Sequence, residues 1–246
     1  MPWRAVPVMP VEIMLLPRWF PFHLCKVSYW SRTVIAPLLI LMALKPKARN
    51  PRGIGIRELF VTDPEQETGY MVNPTGKLLG YLLIQFDKLL RILEPYFPKR
   101  TRARAIKAAV DFVTRRLNGE DGLGAIYPAM ANAVMAFDAL GYDRDDPDYR
   151  TAMASIEKLT VRLKDRNYCQ PCLSPIWDTS LIAHALMEAG TPRDGAVIRK
   201  AASWMAERQI LDVEGDWAFW LKYTLMSLPL STLAKRFWSC APAGQR

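Results

Sequence analysis

The stretch Ile106-Lys107-Ala108-Ala109-Val110-Asp111-Phe112-Val113-Thr114-Arg115-Arg116-Leu117 returns in altered form as Ile198-Arg199-Lys200-Ala201-Ala202-Ser203-Trp204-Met205-Ala206-Glu207-Arg208-Gln209. Ala154-Ser155-Ile156 falls between them in the same register, 44 residues after Phe112 and 48 before Trp204 when counted at Ile156. Second helices echo as well: Tyr127-Pro128-Ala129-Met130-Ala131-Asn132-Ala133-Val134 stands to the first copy as Ser174-Pro175-Ile176-Trp177-Asp178-Thr179-Ser180-Leu181 stands to the next. Each unit is then a helical hairpin of about forty-five residues, too small to bury its own apolar face. Stacked side by side in a closed ring, such hairpins predict an all-α fold, an α/α toroid of inner and outer helices.

Working outward, the second hairpin is entered through Gln170-Pro171-Cys172-Leu173-Ser174-Pro175-Ile176-Trp177-Asp178-Thr179. Two prolines fix an extended approach, Pro175 suits a first helical turn, and Ser174 or Thr179 can cap the orphan amides there. Trp177 and Asp178 are thus held at the mouth of a helix. There Trp177 either packs into the core or shares a cavity with the carboxylate.

On the N-terminal side, Trp30–Leu44 is apolar all round, which predicts a helix buried on every side. Its uninterrupted run, Thr33–Leu44, falls short of the roughly 20 residues that span a bilayer. Residues 1–27 are broken by proline and offer no signal-peptide core. Residues 45–67 carry Pro46, Pro51, Gly53, Gly55 and Pro64 and read as a surface crossing. Within residues 73–97, Leu78, Leu82, Phe86, Leu89 and Leu93 fall close to one helical face, and Leu79, Leu83 and Leu90 widen it beyond an ordinary core stripe. Such a helix lies in a membrane interface or forms a helix–helix contact.

Half of the 246 residues are apolar, enough for a sizeable core, and the net charge is +9. Lys88, Arg91, Lys99, Arg100, Arg102, Arg104 and Lys107 crowd beside the leucine-rich stretch, whereas nucleic-acid binders surround such charge with polar or stacking groups. The pattern favours an anionic membrane surface and predicts no nucleic-acid partner. Cys25, Cys169, Cys172 and Cys240 make no disulfide framework, so a reducing compartment is expected. Cys169 and Cys172 have C-x-x-C spacing, but without a second pair or a nearby histidine they predict no metal site and no cofactor.

The string Gln-Pro-Cys-x-Ser-Pro-x-Trp-Asp-Thr, with Pro7-Val8-Met9-Pro10-Val11-Glu12-Ile13-Met14-Leu15-Leu16-Pro17 and Ser28-Tyr29-Trp30-Ser31-Arg32 upstream, resembles bacterial squalene–hopene cyclases from about Pro2 to Ala218. By that resemblance the chain corresponds to roughly the middle third of the enzyme, two incomplete barrel portions. Residues 1–149 would belong to the inserted N-terminal barrel and 150–218 would begin the catalytic barrel. The resemblance further implies cyclisation of squalene to hopene or hopanol by a proton-initiated carbocation cascade, with no cofactor. The enzyme would be monotopic on the cytoplasmic side of the membrane, and the family is often dimeric. Trp30, Ile126, Tyr127, Pro128, Trp177 and Asp178 would line the substrate cavity; Tyr127 stands where other members carry Gln. A desolvated cation gains about 2 kcal/mol from each well-placed aromatic face, which is not itself a nucleophile. Leu78, Leu82, Leu83, Phe86, Leu89, Leu90 and Leu93 would touch the membrane.

Phe112, Leu117, Asp121-Gly122-Leu123-Gly124, Trp204, Gln209 and Gly215-Asp216-Trp217 resemble the family's repeated Gln-Trp motif, with Leu117 in place of Gln and Leu123 in place of Trp. The motif is structural. The family's proton donor belongs to an Asp-x-Asp-Asp-Thr motif after a Gly-Asp-Trp-Ala string. Asp143-Arg144-Asp145-Asp146 fits the bare spacing, but Gly141-Tyr142 before it and Pro147-Asp148 after it predict an exposed linker. A solvated carboxylate there is too weak an acid to protonate an alkene. After Ala218 the sequence leaves the family pattern, and residues 219–246 read as a divergent tail, from a frameshift or a truncated reading frame. A chain so built is expected to be inactive alone. The competing expectation is a non-catalytic helical-repeat module that binds a membrane or lipid.

Overall fold

The computed structural model describes residues 3–47, 49–119 and 121–209; the Gly215-Asp216-Trp217 motif, Cys240 and the tail lie outside them. The described residues are mostly helical: α1 (Tyr29–Leu44), α2 (Leu78–Leu93), α3 (Lys99–Thr114), α4 (Tyr127–Leu140), α5 (Pro147–Leu159), α6 (Pro175–Glu188) and α7 (Ala196–Ala206). One small antiparallel hairpin, β1 (Thr160–Arg162) with β2 (Asn167–Cys169), pairs Val161 with Tyr168. The proline-rich lead-in forms short 3-10 turns at Val11–Leu15 and Leu24–Lys26.

Helix α1 is the axle of the core. Ser28 caps it by accepting the Ser31 N–H, and Lys45 ends it in the left-handed region at φ 48°. It packs on both α3 and α4. One cluster joins Ala36 with Val113, Leu123, Met130, Phe137, Ala152 and Leu159. A second joins Leu39 and Ile40 with Val11, Ala105, Ala109 and Ala136. Alanine on α3 and α4 lets the backbones approach closely, so the leucine and isoleucine of α1 fill the gap between them.

The two copies of the repeated stretch share one local arrangement on α3 and α7. The Arg116 guanidinium lies 3.8 Å from the Phe112 ring centre and donates to the Phe112 carbonyl. Arg208 repeats the arrangement 4.2 Å from the Trp204 ring, donating to the Trp204 carbonyl at 3.0 Å. The expected hairpins, however, are offset by one helix. The neighbours that pack are α4 with α5 and α6 with α7, while α1 takes the place between α3 and α4. The hairpin β1–β2 occupies the connection from α5 to α6, so those two helices are not joined by a tight turn.

Candidate cavity wall and membrane face

The segment between α3 and α4 is a tight knot that carries the approach to the candidate cavity. Asn118 and Gly122 exchange backbone hydrogen bonds at 3.1 Å each, and the Asn118 side chain accepts the Asp121 N–H at 2.6 Å. Gly122 sits at φ 62°, and a Cβ there would lie 2.4 Å from Ser155, so only glycine fits. Two residues on, a Cβ at Gly124 would meet the Trp30 ring at 3.4 Å and Thr33 at 3.5 Å. The first turn of α1 therefore rests against this knot.

Ala125 follows at φ 53°, a left-handed conformation that costs a non-glycine residue about 1–2 kcal/mol. It is held there from both sides. Its N–H donates to the Asp121 carbonyl at 2.9 Å, and its carbonyl accepts the Leu173 N–H at 3.0 Å. Next to it Ile126 pairs with Cys172 as an antiparallel bridge, and the Tyr127 N–H donates to the Pro171 carbonyl at 2.9 Å. The ladder Ala125–Tyr127 against Pro171–Leu173 thus ties the entrance of α4 to the entrance of α6, beside the first turn of α1.

Of the sequence-predicted cavity residues, Trp30 is half-buried against Gly124, and Ile126 is half-buried in the ladder. Tyr127 and Pro128 open α4 and are exposed, Tyr127 at 42 %. Trp177 is 48 % exposed on the first turn of α6, so of the two alternatives read from the sequence it does not take the core one. Pro175 does occupy the first turn of α6, as expected. Ser174 stands at the cap position but does not cap with its side chain: its hydroxyl instead donates to Asp178 Oδ1 at 2.8 Å. That bond fixes the carboxylate on the first turn, where the helix dipole favours it. The Ala125–Leu173 ladder was not foreseen; paired extended stretches of three residues leave no periodicity to read.

The acidic turn is structural. Asp143 and Asp145 are exposed, and Asp146 caps α5 by accepting the N–H groups of Asp148 and Tyr149. Burial, then the neighbouring Asp146 charge, push the Asp148 carboxyl above its ordinary value.

The second candidate surface is α2. Leu78, Leu79, Leu82, Leu83, Phe86, Leu89, Ile92 and Leu93 are all exposed, and Leu90 is half-buried at the flank. No helix among the described residues is long and apolar enough to cross a membrane.

Two family models match most of the chain. The squalene-hopene cyclase N-terminal domain matches residues 1–165, and the C-terminal domain of the same family matches residues 173–225. The chain belongs to the squalene–hopene cyclase family. The probable squalene–hopene cyclase of Sinorhizobium fredii is 51% identical over 218 residues, covering 88% of this chain and 34% of that protein. The squalene–hopene cyclase of Zymomonas mobilis is 53% identical over 228 residues, covering 89% of this chain and 34% of its own length. That of Bradyrhizobium diazoefficiens is 51% identical over 217 residues, 88% of this chain and 33% of the relative. The chain therefore spans about a third of the curated relatives it matches. The two cyclase domains meet between residues 165 and 173, at the end of the β1–β2 hairpin and the start of the ladder to Ile126.

Proposed function

We propose that this chain supplies part of the cavity wall and the membrane-contacting helix of a squalene cyclase. The parent reaction folds linear squalene in an apolar pocket, protonates a terminal alkene and guides the migrating cation to a pentacyclic product. Trp30, Ile126, Tyr127, Pro128, Trp177 and Asp178 are assigned to that wall. What carries the reading is the ladder from Ala125–Tyr127 to Pro171–Leu173, which holds the entrances of α4 and α6 together beside Trp30. Aromatic faces there would stabilise positive charge while shedding the water that would quench it.

The proposal assigns no proton donor to this chain. Its Asp143-Arg144-Asp145-Asp146 sequence is engaged in capping α5 and is largely exposed, which supports an inability to protonate an alkene. Incubation of the purified chain with squalene is expected to yield no pentacyclic product. It is expected to bind a squalene-like polyene, and Trp177→Ala to weaken that binding several-fold. A product formed by the chain alone would overturn the assignment of the acid. Failure to bind any polyene would favour the second reading, a non-catalytic helical-repeat module for a lipid surface, which the exposed leucines of α2 support on their own. Both readings have the chain peripheral to a membrane, on its cytoplasmic side.

A further inference from the structure

Helix α2 is inside out. An amphipathic helix on a globular protein turns its leucines inward; here the inward stripe is Gly80, Ile84, Asp87 and Arg91, spaced i, i+4, i+7 and i+11, and the leucines face away. The polar members of that stripe are bonded. Asp87 is buried; its Oδ1 accepts the Val8 N–H at 2.6 Å and its Oδ2 accepts from Arg91 at 3.0 Å. Arg91 also donates to the Val6 carbonyl at 3.0 Å. Just past the last turn Glu94 is buried, accepts from Lys45 at 2.7 Å and lies 3.8 Å from Arg102. Arg102 in turn donates to Glu12 at 3.0 Å and to the Glu94 carbonyl at 3.0 Å. The helix is therefore attached to the lead-in, to the end of α1 and to α3 by directional, charge-assisted bonds.

We infer that Asp87, Arg91 and Glu94 are positioning residues that fix the roll of α2, so that its leucine face meets a lipid surface with anionic headgroups and cannot turn back onto the protein. The inference rests on the membrane reading above. Nonspecific apolar contact tolerates rotation, because any of eight exposed apolar residues could replace Ile84 against the body. Hydrogen bonds to a buried carboxylate do not, since they weaken steeply away from a narrow range of angles. Anionic headgroups are the matching chemistry because Lys88 is exposed on α2 itself, and Arg100, Arg104 and Lys107 are exposed on α3, which begins just after the turn that ends α2.

The test uses the full chain with its four native cysteines changed to serine and a spin label on Leu82→Cys or Lys88→Cys, bound to vesicles of phosphatidylcholine with phosphatidylglycerol. In the pinned chain the Leu82 label is expected to be about tenfold less accessible to an aqueous relaxant than the Lys88 label, since the two lie on different sides of the helix. In the Asp87→Ala, Glu94→Ala double variant the ratio is expected to fall to about twofold or less as the helix rolls. Arg91→Ala, which keeps both buried carboxylates, gives an intermediate ratio and serves if the double variant melts. An unchanged ratio in both variants overturns the positioning role. Equal binding to vesicles of phosphatidylcholine alone overturns the anionic preference. A pinned chain that binds neither vesicle overturns the membrane reading, and the positioning role with it.

Discussion

Helices α1 and α2 are sixteen residues each and both rich in leucine, yet α1 disappears into the core while α2 stands almost bare. Apolar content does not separate them; the position of their polar residues does. In α1 the buried polar groups sit in the first turns, where the Thr33 hydroxyl donates to the Trp30 carbonyl at 2.8 Å, and everything after them is apolar on all sides. In α2 the polar groups recur along one stripe and are consumed by the body of the protein, which forces the leucines outward. A helix that is apolar all round is buried by its neighbours, and a helix whose polar stripe is claimed must bury its leucines elsewhere.

The contrast can be broken most readily by truncating one leucine in each helix. Leu39→Ala, at a fully buried site, is expected to cost about 2–5 kcal/mol in urea unfolding, against less than about 0.5 kcal/mol for Leu82→Ala in the absence of lipid. Comparable losses at the two sites would mean that α2 has a protein partner in solution. Next in size is Arg102→Ala, which strands the Glu12 carboxylate and leaves Glu94 with Lys45 as its remaining cation; about 2–3 kcal/mol is expected by the same measurement, with Arg102→Lys recovering part of it. The helix starts differ by less. Ser28→Ala removes a capping acceptor from α1 and should lower stability by about 1 kcal/mol, whereas Lys77→Ala at the uncapped start of α2 should change little.

The smallest effect lies on the core side, at the start of α5. The Asp148 carboxyl is raised by burial and by Asp146, so its ionisation opposes folding: the cost is full at neutral pH and vanishes once the pH falls below both its folded and unfolded values. Asp148→Asn should therefore stabilise the chain slightly near pH 7 and not at all near pH 3, read from thermal melts at the two values.

Much of the fold was legible because it is written in local periodicity. The all-round apolar run gave α1, the leucine spacing gave α2, and the Phe112 and Trp204 copies gave two helices, each with an arginine stacked on its aromatic ring four residues on. Pro175 in the first turn and the exposed setting of Asp143 and Asp145 were equally readable. What escaped is non-local. The offset packing of α4 with α5 and α6 with α7 depends on α1 wedging between α3 and α4, which no single stretch encodes. The ladder from Ala125 to Leu173 joins residues far apart in the chain through backbone atoms, and backbone hydrogen bonds carry no residue signature. The inward stripe Gly80, Ile84, Asp87 and Arg91, with its two charged members, stands at helical spacing in the sequence, but the leucines are the stronger signal and point to the opposite face.

The claim that α2 turns its leucines toward lipid is tested most directly by floating the full chain with phosphatidylcholine–phosphatidylglycerol vesicles while following amide hydrogen exchange in residues 78–93 and 29–44. The chain should rise with the vesicles, with exchange in residues 78–93 slowed about tenfold or more and that in residues 29–44 unchanged. A chain that stays in the aqueous fraction, with residues 78–93 exchanging as fast as before, would contradict it.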